Sequence, residues 1–307
     1  MKKRSFCGSI AGLTVCCVLG IVAPDRAAAQ YPSQNATLLS HIDIAEFGAG
    51  NGNDCWGYTS PSGREYALMG LSNKVAFVEI TDPTNADWFA SILHGNSLWG
   101  DVKVYQDVAY AVVDVQAEVG IQVIDMSDID NHNVTLVLTI PTPTKNHNVA
   151  IDADSGYLYT LGSSGGSDRT VIFDLTNPLD PIEVGTWGTY EHDAQIVTYT
   201  SGPYAGRQIM FGASESRGLD IVDVTDKSNT FLISRTEYPN LSYCHQVWTE
   251  DLQYLFSNDE TDGIQRTTVF DISSLEDPIV LGDYSSGLGA TDHNQYIRDG
   301  IMFEADY

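Results

Sequence analysis

Forty-one acidic side chains against fifteen basic ones give this 307-residue chain a net charge of −26. A surface that acidic repels nucleic acid and anionic lipid headgroups, and it suits high salt or the attraction of cations. With 43 % hydrophobic residues the chain has ample material for a core and lies outside the range of disordered sequences.

Residues 1–29 read as an export signal. MKKR is a basic n-region, FCGSIAGLTVCCVLGIVA an apolar h-region, and RAAAQ supplies the small residues a signal peptidase accepts, with cleavage after Ala29. No later stretch approaches the roughly 20 apolar residues of a membrane span, so residues 30–307 are expected to be exported: extracellular, at the cell surface or periplasmic. Cys7, Cys16 and Cys17 leave with the signal, and the remaining pair, Cys55 and Cys244, permits one disulfide.

Five segments then share one design, an apolar β-branched run, an acidic residue and a short polar turn: VAFVEITDPTN, GIQVIDMSDID, TVIFDLTNPLDP, GLDIVDVTDKSN and TTVFDISSLEDP. Their acidic position falls at Glu79, Asp125, Asp174, Asp223 and Asp271, at intervals of 46, 49, 49 and 48 residues. Periods of this size signify solenoids, propellers or arrays. One period reads as four short strands (DVKVY, VAYAVVD, IQVIDM, TLVLTI) joined by Gly, Asn, Asp and Pro turns, with no helical periodicity. Four strands per unit is a propeller blade. The fold class is therefore all-β, a propeller filling residues 30–307, with blades at roughly 55–95, 98–141, 145–189, 190–238 and 243–286. A sixth begins at ATDHNQYI and GIMFEADY and lacks a third-strand counterpart, as though the sequence were truncated. Residues 36–47 are expected to form an orphan fourth strand that pairs with that last blade. Six blades is the expected number and seven the alternative.

The openings of the inner strands carry a second series: Trp56-Gly57-Tyr58, Trp99-Gly100-Asp101, His147-Asn148, His192-Asp193, His245-Gln246 and His293-Asn294. Equivalent inner-strand positions surround a propeller axis, so four histidines should converge at one mouth of the channel. Three readings follow. The imidazoles tie blade to blade through backbone carbonyls; or His147, His192, His245 and His293, with Asp193 or Asp101, hold zinc, copper or iron; or the ring takes a small polar or anionic ligand, with Arg217, Arg235 or Arg266 as charge partners. The acidic run SNDETDG offers Asp259, Glu260 and Asp262 as calcium ligands, without the spacing of an EF-hand. DADSG (152–156) reads most simply as a tight hairpin, and SSGGS (163–167) as a hairpin tip. There is no nucleophile elbow and no glycine-rich phosphate loop.

The motifs GREYALMGLSNKVAFVEITDP, LWGDVKVYQDVAYAV, HNVAID, HDAQIV, GLDIVDVTDKSN, SRTEYPN, YCHQVW and DHNQYI cover most of residues 50–307. In order and spacing the chain resembles the choice-of-anchor B family, secreted bacterial proteins built from LVIVD repeats. The resemblance implies a β-propeller displayed at or beyond the cell envelope, and it carries no reaction and no catalytic residues with it. The expected function is an exported binding or interaction module for a protein or glycan at the cell surface, with Trp88 and Trp187 as candidate glycan-stacking aromatics. The alternative is a metal-dependent enzyme using the histidine cluster.

Overall fold

A computed structural model describes residues 35–115, 120–141, 143, 145–163, 169–261, 266–285, 287 and 289–307. The signal segment 1–29, Asp262 and most of SSGGS lie outside the described residues. Two compact units divide the chain, Met1–Leu39 and Ser40–Tyr307. The described part of the first, residues 35–39, carries no strand, and the second holds all the described sheets.

Those sheets are five four-stranded antiparallel blades in simple sequence order and a sixth sheet of two strands. The innermost strands are Gly52–Thr59, Gly100–Tyr105, Asn148–Asp152, Asp193–Thr198, Cys244–Thr249 and Asp292–Arg298. Each lies against the next, which is the arrangement of a β-propeller. No described helix is long and apolar enough to cross a membrane.

The acidic repeat has a local cause. Oδ1 of Asp125, Asp174, Asp223 and Asp271 accepts the backbone N–H two residues on, at 2.8, 2.6, 2.9 and 2.9 Å. Each therefore caps the turn that leaves the third strand, the ordinary use of a short carboxylate beside its own backbone. Glu79, one methylene longer, instead binds Arg64, at 2.9 Å from Nε. Between successive blades the apolar faces interdigitate in separate clusters. Tyr66, Leu68, Phe77 and Ile124 join blades 1 and 2; Tyr110, Ile121, Leu158 and Phe173 join 2 and 3; Phe211, Ile221, Leu255 and Phe270 join 4 and 5. Fully burying a side chain of this size contributes about 1.5–3 kcal/mol, so the seams between blades hold the molecule together.

Residues 40–47 correct the expectation of an orphan strand. Glu46 N–H bonds Asp43 O at 2.9 Å and Gly48 N–H bonds Ala45 O at 3.1 Å, curling the chain into turns. Ile42, Ile44 and Phe47 then pack on blade 1 around Leu71, Ala76, Val78 and Trp88 rather than pairing with an edge. The sixth sheet accordingly consists of Asp292–Arg298 and Ile301–Asp306.

Candidate metal centre at the channel mouth

The four histidines do converge. Consecutive ring centroids stand 4.5 Å apart for His147–His192, 4.2 Å for His192–His245 and 4.3 Å for His245–His293. They line a cavity of about 230 Å³ together with Trp99, Asp114, Tyr190, Tyr243 and Glu260. Their arrangement is a staircase built by the repeat. His192 Nδ1–H donates to the carbonyl of His245 at 3.0 Å, and His245 Nδ1–H to the carbonyl of His293 at 2.8 Å. His147 breaks the series: its Nδ1 meets Asp114 Oδ2 at 3.3 Å, because Asn148 Nδ2 already donates to the carbonyl of His192 at 3.0 Å. The blade-to-blade ties are thus present.

A hydrogen bond at Nδ1 fixes the tautomer and turns the Nε2 lone pair outward, as outer-shell acceptors do for metal-binding imidazoles. Burial is the first cause that lowers the pKa of all four rings. Together with the charge of the neighbouring histidines it brings His192 to about 3, and the same two causes hold His245 well below the usual imidazole range. The rings are therefore neutral at pH 7, the form that binds a metal. Ligand atoms of His245, His293 and Glu260 all lie within 4.8 Å of one another, with Glu260 Oε2 3.7 Å from His245 Nε2. Glu260 is held from its far side by the hydroxyl of Tyr307.

Several expected partners belong elsewhere. Asp193 lines a second cavity of about 100 Å³, further along the inner strands, with Asp54, Trp56, Lys103, Gln246 and Tyr296. Burial raises its pKa to about 6. Asp101 is buried beneath Lys103 and accepts Val149 N–H of the next blade at 2.8 Å. Neither joins the imidazoles as a ligand, because successive residues of a strand face opposite ways. Of the Asp259–Glu260–Asp262 calcium set, Asp262 lies outside the described residues and Asp259 is fully buried. It accepts Tyr238 Oη at 3.0 Å and Ser242 N–H at 2.9 Å and pairs with Arg266 at 3.2 Å, while Glu260 turns to the histidines. Arg235 is spent on a bidentate pair with buried Asp220 (2.6 and 2.5 Å), and Arg217 on the carbonyl of Tyr190.

The disulfide is absent: both thiols are free. Cys244 is buried against Ser257 Oγ at 3.1 Å, whereas Cys55 sits exposed on blade 1. The two lie on the innermost strands of different blades, the first and the fifth. Both candidate tryptophans are half-buried. Trp88 Nε1 bonds Ala90 O at 2.9 Å, and Trp187 Nε1 bonds Glu191 at 2.8 Å. DADSG is the expected hairpin, closed by Gly156 N–H on Asp152 O at 2.9 Å with Gly156 at φ +72°.

Sequence reasoning did not find the ionic cluster under the mouth. Lys103 Nζ bonds Asp54 Oδ2 at 2.9 Å and also reaches Asp101 Oδ1, and it stands 4.8 Å over the Trp56 ring. Burial opposes the charge on Lys103, but Asp101 and Asp54 outweigh it and hold the ammonium well above its usual range. Burial and then Asp54 push Asp101 well above the usual carboxylate range. Burial works the same way on Asp54, yet Lys103 prevails and holds it low. A lysine on an inner strand was the available signal.

No protein-family model matches the chain, and no curated protein matches it. Solved structures resemble it in fold. One is a "putative 6-phosphogluconolactonase" from Bacteroides uniformis, at 11 % identity and TM-score 0.58 over 81 % of this chain and 76 % of that one. A second is a protein from Lactobacillus plantarum, at 13 % identity and TM-score 0.55 over 76 % and 71 %. A third is the hydrazine synthase of Kuenenia stuttgartiensis, at 12 % identity and TM-score 0.54 over 78 % and 69 %. At such identities the likeness establishes the β-propeller fold alone.

Proposed function

We propose that the chain is an exported binding module of the LVIVD-repeat kind. Its channel mouth holds one divalent transition-metal ion through His245, His293 and Glu260 and presents it to a protein or glycan ligand. The observation that carries this reading is the locked tautomer of His245, whose Nδ1–H is committed to the His293 carbonyl while Nε2 faces Glu260. Two imidazoles and one carboxylate suit zinc, copper or iron, and three protein ligands leave a position open for a donor from outside. That open position also favours a second reading, a metal-dependent enzyme in which the ion activates water or polarises a bound substrate.

The test is elemental analysis of the untagged mature chain beside His245→Gln/His293→Gln. About one equivalent of zinc, copper or iron is expected in the parent, and its loss in the variant with an unchanged circular dichroism spectrum. A parent that carries no metal and takes up none on dialysis against zinc overturns the proposal, leaving the histidines as ties between blades. Cobalt-substituted protein separates the two readings. Bands that shift on adding a protein or glycan ligand without turnover favour the module; turnover of a hydrolysable ester by the loaded protein favours the enzyme.

A further inference from the structure

A second polar cluster lies between blade 5 and the sixth sheet and takes no part in the mouth. In the sixth sheet Asp292 stands directly across from Asp306, and Gln295 directly across from Glu304. The register slips between Asp292 and Asn294. That bulge at His293 restores Asp292 and Gln295 to one face, where strand alternation alone would separate them. Directly opposed residues share a face, so Asp292, Gln295, Glu304 and Asp306 all look toward the same side. The carboxylate oxygens of Asp292, Glu304 and Asp306 lie within 4.8 Å of one another.

The donors near them do not suffice. Thr267 Oγ1 lies 3.2 Å from Asp292 Oδ2 and 2.9 Å from Glu304 Oε1, but a hydroxyl carries one proton and satisfies one of them. Asn258 Nδ2, on the second strand of blade 5, donates to Glu304 at 2.7 Å. Among the described residues no lysine or arginine pairs with Asp292 or Glu304. Three fully buried residues then carry polar atoms with no hydrogen-bond partner: Oδ1 of Asp292, Oδ1 of Asn258, and both Oε1 and Nε2 of Gln295. The Asn258 amide is the one already touching Glu304, and Gln295 is its cross-strand neighbour. Buried polar atoms are almost always paired, and orphans gathered at one place mark a missing partner. At the residue following each strand-opening histidine pair, blades 3, 4 and 5 place the apolar Val149, Ala194 and Val247; only the sixth sheet puts an amide there.

We propose that this cluster is a calcium site, held by the carboxylates of Asp292, Glu304 and Asp306 with the amide oxygens of Asn258 and Gln295. The donor set is all oxygen, with no nitrogen or sulfur to select a transition metal. Calcium accepts six to eight such oxygens in an adaptable shell that waters complete, whereas magnesium demands a strict octahedron. The ion joins both strands of the sixth sheet to Asn258 of blade 5, so it fastens the least complete sheet to its neighbour.

The test measures thermal unfolding of the full mature chain in EDTA and in 1 mM calcium or magnesium, with calorimetric titration by calcium. The expected result is a rise in Tm of several degrees with calcium, a much smaller one with magnesium, and one bound equivalent. Asp292→Asn/Glu304→Gln abolishes the shift. Should that variant fail to fold, Asp306→Asn at the exposed end of the set weakens calcium binding about tenfold or more, read by the same titration. His245→Gln keeps the calcium shift, which separates this site from the mouth. No calcium-dependent shift in the parent, an equal response to magnesium, or full calcium binding by Asp306→Asn overturns the proposal.

Discussion

Glu191 stands one residue before His192 with 1 % of its surface exposed. Trp187 Nε1 donates to its Oε1 at 2.8 Å and Ser214 Oγ donates to its Oε2. The glycine at 212 makes this possible, since a Cβ there would lie 2.5 Å from the Glu191 carboxylate. Burial, and next the charge of Asp220, raise the Glu191 pKa to about 8. The carboxyl is therefore protonated at pH 7 in the fold, while an unfolded glutamic acid titrates near 4.5. A folded-state pKa above the unfolded one makes its contribution fully present below about pH 4.5, lost progressively up to about pH 8 and constant beyond. Glu191→Gln keeps an acceptor for Trp187 and removes the titration. Its stability relative to the parent is expected to rise between pH 4 and pH 8 by 1 kcal/mol or more, on the order set by the shift. Urea unfolding of both proteins at pH 4, 6 and 8 checks this, and parallel curves count against a neutral Glu191.

Every four-stranded blade carries one register slip between its third and fourth strands, at Phe77/Val78, Val123/Ile124, Ile172/Phe173, Ile221/Val222 and Val269/Phe270. In blade 3 the slip faces Gly185, where an added Cβ would stand 1.8 Å from the backbone oxygen of Lys227 in blade 4. Gly185→Ala is expected to cost about 1–3 kcal/mol, read as a lower urea midpoint, because a backbone carbonyl cannot swing aside as a side chain can. Gly57→Ala, with nothing within 4 Å of its Cβ, should cost far less; equal losses would show that the bulge tolerates a side chain. Such elements also explain what the sequence could reveal. The repeat was legible because Asp125, Asp174, Asp223 and Asp271 each cap their own turn, so cause and signal sit within three residues. The histidine series was legible for the same reason, being one slot repeated. Asp101 and Asp193 were misgrouped with it because adjacency in a strand places neighbours on opposite faces. Glu260 was read with its acidic loop, since nothing local tells which way a loop carboxylate turns. The bulge that aligns Asp292 with Gln295 has no signature in composition at all.

Across the whole molecule, the inner strands of three blades meet at one lysine. Lys103 of blade 2 bonds Asp54 of blade 1 at 2.9 Å, while Asp101 beneath it accepts Val149 N–H of blade 3 at 2.8 Å. Lys103→Met keeps an unbranched stem of similar volume and removes the cation from Asp54 and Asp101. Breaking a buried ion pair by deleting one partner typically costs about 3–5 kcal/mol, because the remaining charge is left uncompensated in a largely buried site. In the parent, Lys103 overcomes burial and holds Asp54 below the usual carboxylate range. Without it the folded-state pKa of Asp54 must rise, so the variant keeps its stability below the unfolded value, near 3.8, and loses it as pH climbs through the raised one. The deficit should therefore be large at pH 7 and small at pH 4. It should also be indifferent to sodium chloride, since buried pairs are screened far less than the acidic surface around them. Unfolding of the parent and of Lys103→Met at both pH values, with and without salt, decides between two accounts of the inner ring. A deficit that shrinks at pH 4 makes the ammonium the electrostatic pin of blades 1 to 3, and an equal deficit at both makes its stem a packing element and nothing more.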